Sequence, residues 1–208
     1  MMIKFEHTET AGWVPAFRGM RNPLNSWHKA DSCFTTVNGC DEFIIGPNDA
    51  DLASRLLHSG SDHSKFMRQI VVWVDITAPF YLYKELDTYR MGIEKNSCST
   101  MHTIHRRDLT ESDFSTENIV PECRSVVTMV INMLNKLRRK YVEVKDKSFW
   151  YSLIQLLPDS FNQRRTYMFS YAALRNIYHA RKNHKLNEWR EFCRWVESLP
   201  NSWLITDV

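Results

Sequence analysis

Two stretches of this chain combine residue types that could hold a phosphorylated ligand. Between Phe80 and Thr100 an apolar, helix-like segment runs into Arg90 and then into a loop dense in hydroxyls and one amide, with Asn96, Ser97 and Ser99. Backbone N–H groups beside hydroxyls and a guanidinium suit a phosphate or a nucleotide base, although an ordinary polar surface loop has the same composition. Between Arg164 and Glu188, the residues Arg175, Asn176 and Arg181 fall within two helical turns, and Tyr178 shares a face with Arg181. A helical arginine serves equally well as half of a structural salt bridge. Cys98, His102 and His105 form a Cys-x-x-x-His-x-x-His array. Zinc sites usually pair ligands more tightly and repeat the pair further on, and no Cys-x-x-Cys occurs here, so no metal is expected. A Gly-rich phosphate loop, a Gly-x-Ser-x-Gly elbow and a His-Glu-x-x-His helix are all missing.

Spacing indicates the elements that must position these groups. A short strand is expected near Met2 to Glu6, followed by ordered loops, because Gly12, Pro15, Gly19, Pro23, Gly39, Gly46 and Pro47 crowd the N-terminal quarter. Asn48 and Asp49 should open a helix reaching Leu57, with an Asx cap. Arg68 to Ile76 is a β-branched run flanked by polar residues, the pattern of a strand buried on both faces. After a turn at Ala78 and Pro79, Phe80 to Leu86 reads as a helix. Met91 to Thr103 has no clear period and reads as a structured polar loop. Thr116 should open a long helix with Pro121 in its first turns. Along it Ile119, Cys123, Val127, Val130, Leu134, Leu137 and Tyr141 recur three or four apart as one apolar stripe. Ser148 to Leu157 reads as a helix, Arg165 to Tyr171 as a strand, and Ala172 to Arg181 and Asn187 to Leu199 as two further helices. The chain is therefore mixed, with more helix than strand and no internal repeat or linker.

The composition is that of an ordinary globular protein: 208 residues, 27 basic against 24 acidic, a formal net charge of +3, 43% hydrophobic and 25% charged. These values exclude collagen, low-complexity disorder and an acidic tail protein. Sixteen of the basic residues are Arg, paired at Arg106–Arg107, Arg138–Arg139 and Arg164–Arg165. Such pairs are most simply solvated helix faces. A nucleic-acid track would need a denser basic run, so nucleic acid is not an expected partner. Cys33, Cys40, Cys98, Cys123 and Cys193 have unrelated spacings, which favours reduced thiols over a disulfide framework. No apolar signal core opens the chain, and no apolar run approaches the roughly 18 residues of a membrane span. One cytoplasmic domain covering residues 1–208 is expected.

The two ligand-suited stretches together resemble the flavin-dependent thymidylate synthases. The signature of that family is Arg-His-Arg, seven residues, then Ser, preceded by a strand, Ala-Pro and a helix. Here Val71 to Ile76, Ala78–Pro79 and Phe80 to Leu86 occupy the lead-in, and Thr88, Tyr89 and Arg90 stand where Arg-His-Arg would be. Seven residues later comes Cys98, with Ser97 and Ser99 on either side. His63 and Phe66 are similar to the family's His-x-x-Pro-Phe-Glu-His stretch, with Lys65 and Arg68 where a Thr and a Glu would lie. Leu156, Leu157 and Pro158, then Asn176 and Arg181, match the C-terminal segment, and His184 and Glu188 fit the His and Glu that follow.

The resemblance implies an α+β fold, a single domain whose mixed sheet is flanked by long helices. It implies FAD as cofactor, with methylenetetrahydrofolate and NADPH as co-substrates, and a dUMP-like pyrimidine deoxynucleotide as acceptor of the one-carbon unit at C5. His63, Thr88, Tyr89, Arg90 and Asn176 would line the flavin. Arg90, Asn96, Ser97, Ser99 and Arg181 would hold the nucleotide, with Arg181 as the catalytic residue at the uracil edge. The resemblance also implies a homotetramer, and the Ile119–Tyr141 stripe would offer a packing surface. Two other readings stay open: a non-catalytic nucleotide- or flavin-binding protein, and a nucleic-acid binder using the paired arginines, which steep salt dependence would reveal.

Overall fold

A computed structural model describes residues 3–207. The first half contains β1 (Lys4–Ala11), α1 (Trp13–Met20), β2 (Cys33–Val37), β3 (Cys40–Ile44), α2 (Pro47–His58), β4 (Val71–Pro79), α3 (Phe80–Leu86), β5 (Ile93–Ser97) and α4 (Thr100–Thr103). It continues with α5 (Arg124–Val144), α6 (Lys147–Gln155), β6 (Asn162–Ser170), α7 (Tyr171–Arg181), α8 (Asn187–Glu197) and α9 (Trp203–Thr206). The fold is α+β, as expected. A four-stranded sheet has the order β1-β4-β6-β5, and β2 pairs with β3 as an antiparallel hairpin. Backbone bonds from Tyr171 to Ile70 and from Phe80 to Phe161 set β6 antiparallel to β4. Those from Cys98 to Arg164 and from Ser170 to Gly92 do the same for β5.

The described chain divides into two compact units. Unit 1 holds residues 3–4, Asp75–Thr88 and Asn96–Thr166; unit 2 holds Phe5–Val74, Tyr89–Lys95 and the described residues from Tyr167 on. In unit 1 the core is Ile104, Leu109, Phe114, Leu134 and Leu153, with Val130, Ile131, Leu137 and Ile154 packed around it. The C-terminal half of the apolar stripe is thus interior packing of α5 on α6. Its N-terminal part is not covered in this way: Ile119, Cys123 and Val127 line an apolar groove of about 210 Å³ with Phe114 and Pro158, and Val130 borders both the groove and the core. In unit 2, α8 buries Trp189, Phe192, Cys193, Trp195 and Val196. Phe5 stacks on Trp195 at 4.8 Å, and Phe169 meets Phe192 edge-on.

Several local expectations need correction. The strand expected over Arg68 to Ile76 begins at Val71 and alternates: Val72, Val74, Ile76 and Ala78 are buried while Trp73 is exposed, so only one face is fully covered. The loop expected over Met91 to Thr103 contains β5 and α4. Pro121 to Cys123 form a 3-10 turn, and the long helix starts at Arg124 rather than Thr116. The first strand is longer than expected, and Met2 lies outside the described residues.

Asp49 is no cap either. Gly46 precedes α2 with no side-chain cap, and Asp49 is buried in a bond with Arg21, whose Nε donates at 2.6 Å. Backbone N–H groups of Asp31 and Ser32 also donate to Asp49. Burial pushes this carboxyl up. The bonds from Ser32, Arg21 and the two backbone groups outweigh that and hold it below the usual carboxylate range.

Candidate functional site

Helix α7 carries most of the chemistry of unit 2. Ser170 starts it by accepting the Ala173 N–H at 3.1 Å, which fixes the register of everything after it. At its last residue, the geometry turns Arg181 toward aromatic rings. The Arg181 Nε donates to the Tyr89 hydroxyl at 2.9 Å. Its guanidinium carbon lies 4.8 Å from the Trp189 ring centroid and 5.6 Å from that of Tyr89. Trp189 is fully buried and meets His184 edge-on, while the His184 Nδ1 accepts the Leu186 N–H. A half-buried guanidinium packed near the Trp189 ring and bonded to the Tyr89 hydroxyl keeps its plane, its charge and a directed set of donors. That arrangement suits a planar acceptor edge in which negative charge develops.

Beside this, unit 2 has a cavity of about 550 Å³, within the size range of small-molecule sites. Leu57, Met67, Met91, Ala172 and Ala173 give it apolar walls; Ser61, Ser64, Arg68, Ser170 and Asn176 give it polar groups. Two of its glycines have positive φ. At Gly60 a Cβ would meet nothing within 4 Å, so the backbone itself borders open space. At Gly92 a Cβ would stand 2.4 Å from the Ser170 Oγ, so only glycine lets β5 enter beside the start of α7. Thioether and methyl walls, with an amide, hydroxyls and the Arg68 guanidinium at the margin, suit a flat ring with polar edges.

Arg175 and His179 also line this wall. Arg175 Nη1 donates to the carbonyls of Leu204 and Ile205 at 3.2 and 3.3 Å. Burial lowers the pKa of His179, and Arg175 and Lys182 lower it further, so its imidazole is neutral at pH 7.

The sequence-predicted residues are distributed as follows. Tyr89 and Arg181 are brought into contact, and Asn176 lies in the cavity wall. His63 and Arg90 are exposed and border that wall only through their chain neighbours Ser64 and Met91. Thr88, in unit 1, turns its hydroxyl to the Glu85 carbonyl at 2.7 Å. Asn96, Ser97 and Ser99, also in unit 1, are exposed on and after β5. Tyr178 bonds Glu197 instead of joining Arg181. Of the arginine pairs, Arg107, Arg138, Arg139, Arg164 and Arg165 are tied to Asp113, Asp108, Asp75 and Asp87, which leaves no basic track there. Among the described residues no His, Cys, Asp and Glu cluster could hold a metal ion, and no helix is long and apolar enough to cross a membrane.

Trp189 was not anticipated. It stands eight residues after Arg181 but on a different helix, because α7 ends at Arg181 and α8 begins at Asn187, so periodicity along one helix does not pair them.

The chain matches no protein-family model and no curated protein. Its fold does match solved structures. One is a flavin-dependent thymidylate synthase ThyX from Helicobacter pylori in complex with FAD and dUMP, at a TM-score of 0.70 and 18% identity, covering 100% of this chain and 99% of that one. A second structure of Helicobacter pylori thymidylate synthase X with FAD and dUMP gives a TM-score of 0.69 at 19% identity, covering 100% and 98%. The chain therefore has the ThyX fold over its whole length, in a divergent sequence.

Proposed function

We propose that this protein is a flavin-dependent enzyme that transfers a one-carbon unit from methylenetetrahydrofolate to C5 of a pyrimidine deoxynucleotide. The reaction is conversion of dUMP to dTMP or a related methylation or hydroxymethylation. The observation that carries the reading is full-length likeness to structures solved with FAD and dUMP, joined to a guanidinium held by rings at Arg181. In this reading FAD is the cofactor, NADPH the reductant, and residues 1–208 act as one domain of a cytoplasmic homotetramer.

The flavin, when bound, supplies the hydride; the protein's part is binding, orientation and charge. In unit 2, Asn176 and Tyr89 would face it, with His63 and Arg90 at its margin and Arg68 replacing part of the lost basic signature. C5 of a pyrimidine is a weak nucleophile, and negative charge gathers at O2 and N3 as it reacts. Arg181 would stabilise that charge, and the Tyr89 hydroxyl bond and the Trp189 ring limit how far its donors can reorient. In unit 1, Asn96, Ser97 and Ser99 would hold a sugar-phosphate end through amide and hydroxyl bonds. No cysteine has a covalent role. The test is the absorbance spectrum of the purified protein, with mass spectrometry of any released cofactor. A flavin is expected; a colourless protein that takes up no FAD at micromolar concentrations would remove this reading.

A further inference from the structure

Gln163 and Arg165, which belong to no motif, hold the loop that follows β5. The Gln163 Nε2 donates to the Cys98 carbonyl at 2.7 Å and to the Thr100 Oγ1 at 3.1 Å, so both protons of one amide engage that loop. Its Oε1 accepts from the Arg165 Nε at 2.8 Å. This last bond fixes which way the amide points, because an arginine can only donate. Arg165 is itself clamped: its Nη1 reaches both carboxylate oxygens of Asp87 at 3.0 and 3.1 Å, and its guanidinium lies 3.8 Å above the Tyr83 ring. Tyr83 is buried and anchored through its hydroxyl to the carbonyls of Ile76 and Gln163. The chain of contacts runs from the core of unit 1 to the backbone of Cys98. In the loop so held, the hydroxyls of Ser97 and Ser99 have no hydrogen-bond partner among the described residues.

We propose that Gln163 and Arg165 are positioning residues that fix the Ser97–Thr100 loop so that its free hydroxyls meet the nucleotide. The proposal rests on the reading of that loop as part of the deoxynucleotide site. Gln163→Glu is the discriminating variant. It keeps the acceptor that Arg165 needs and adds a charge Arg165 can pair with, yet removes both donors to the loop. Gln163→Leu removes every bond at nearly the same size and serves if the first variant folds poorly.

Hydrogen exchange of the amides from Cys98 to Thr103, without ligand, reports loop order. Titration calorimetry with dUMP reports the site, and thermal melting reports the rest of the fold. We expect Gln163→Glu to melt near the wild-type temperature, exchange about tenfold faster in this loop, and bind dUMP about tenfold more weakly, the loss expected for one or two hydrogen bonds. Unchanged loop exchange, or faster exchange with unchanged dUMP affinity, overturns the inference and leaves the proposed reaction standing. Wild-type protein that binds no dUMP overturns both.

Discussion

Replacing Arg181 with alanine tests the proposed nucleotide site where its geometry is most explicit. The variant loses a 2.9 Å bond to Tyr89 and a guanidinium packed against Trp189 and Tyr89. A partly desolvated cation–π contact contributes about 1–2 kcal/mol. For a chain of this size that corresponds to a fall in melting temperature of roughly 2–8 °C. The effect on ligand is separate. A charge-assisted hydrogen bond contributes about 1.5–3 kcal/mol, so dUMP should bind roughly ten- to a hundredfold more weakly. Arg181→Lys should recover little, because an ammonium neither stacks as a plane nor presents parallel donors. Tyr89→Phe keeps the ring and deletes only the hydroxyl, so it should weaken dUMP binding less than Arg181→Ala does. Calorimetric titration of wild type and the three variants, with melting curves alongside, gives both quantities. If Arg181→Ala lowers the melting temperature but leaves a measurable dUMP affinity unchanged, Arg181 is a structural residue and the catalytic role assigned to it is wrong.

Three further outcomes follow from unit 2. Asp49→Asn leaves Arg21 buried without its counter-charge and should destabilise the protein by about 3–5 kcal/mol. Because the folded carboxyl titrates below its unfolded value of about 3.9, its contribution is present above that pH and lost as pH falls through the lower folded value. Denaturant melts of wild type and variant from pH 6 downward should therefore converge at acid pH; parallel curves would contradict the assignment. Gly92→Ala forces a side chain into positive φ and against the Ser170 Oγ, and should cost at least about 1–2 kcal/mol, with the start of α7 losing order in hydrogen exchange. Unchanged melting would show that the strand can shift freely. Burial pushes the Cys193 thiol up to about 11, with Glu197 adding to the rise, whereas Cys33, Cys98 and Cys123 are exposed. Peptide mapping after thiol labelling at neutral pH should find those three modified and Cys193 protected until the protein unfolds; early labelling of Cys193 would refute its burial.

The sequence revealed elements whose pattern is local. The Phe80–Leu86 helix and the helix ending at Arg181 were visible because their start signals and apolar spacing lie within one segment. The strand β5 was hidden for a physical reason: it lies at the edge of the sheet, where backbone bonds to β6 suffice and Glu94, Lys95, Asn96 and Ser97 show no apolar alternation. Arg21 and Asp49, or Gln163 and Cys98, are far apart in sequence and each is unremarkable alone; only the fold brings them together. Of the residues that the resemblance singled out, the structure puts Asn176 in a cavity wall and Arg181 against Tyr89 and Trp189. Where Thr88 replaces a signature arginine, the hydroxyl bonds a helix end, a role that side-chain type alone does not disclose. The apolar stripe joined two environments, an interior half around Leu134 and a groove around Val127, because helical spacing records which face is apolar and not what covers it.

The central claim is transfer of a one-carbon unit to C5 of a pyrimidine deoxynucleotide. Its most direct measurement incubates the flavin-loaded protein with dUMP, methylenetetrahydrofolate and NADPH and identifies the nucleotide product by mass spectrometry, with dCMP in a parallel reaction. The account predicts a nucleotide carrying one added methyl or hydroxymethyl group, formed by wild type and lost or strongly reduced in Arg181→Ala. Recovery of only unaltered nucleotides from a protein that holds its flavin and binds dUMP would contradict it.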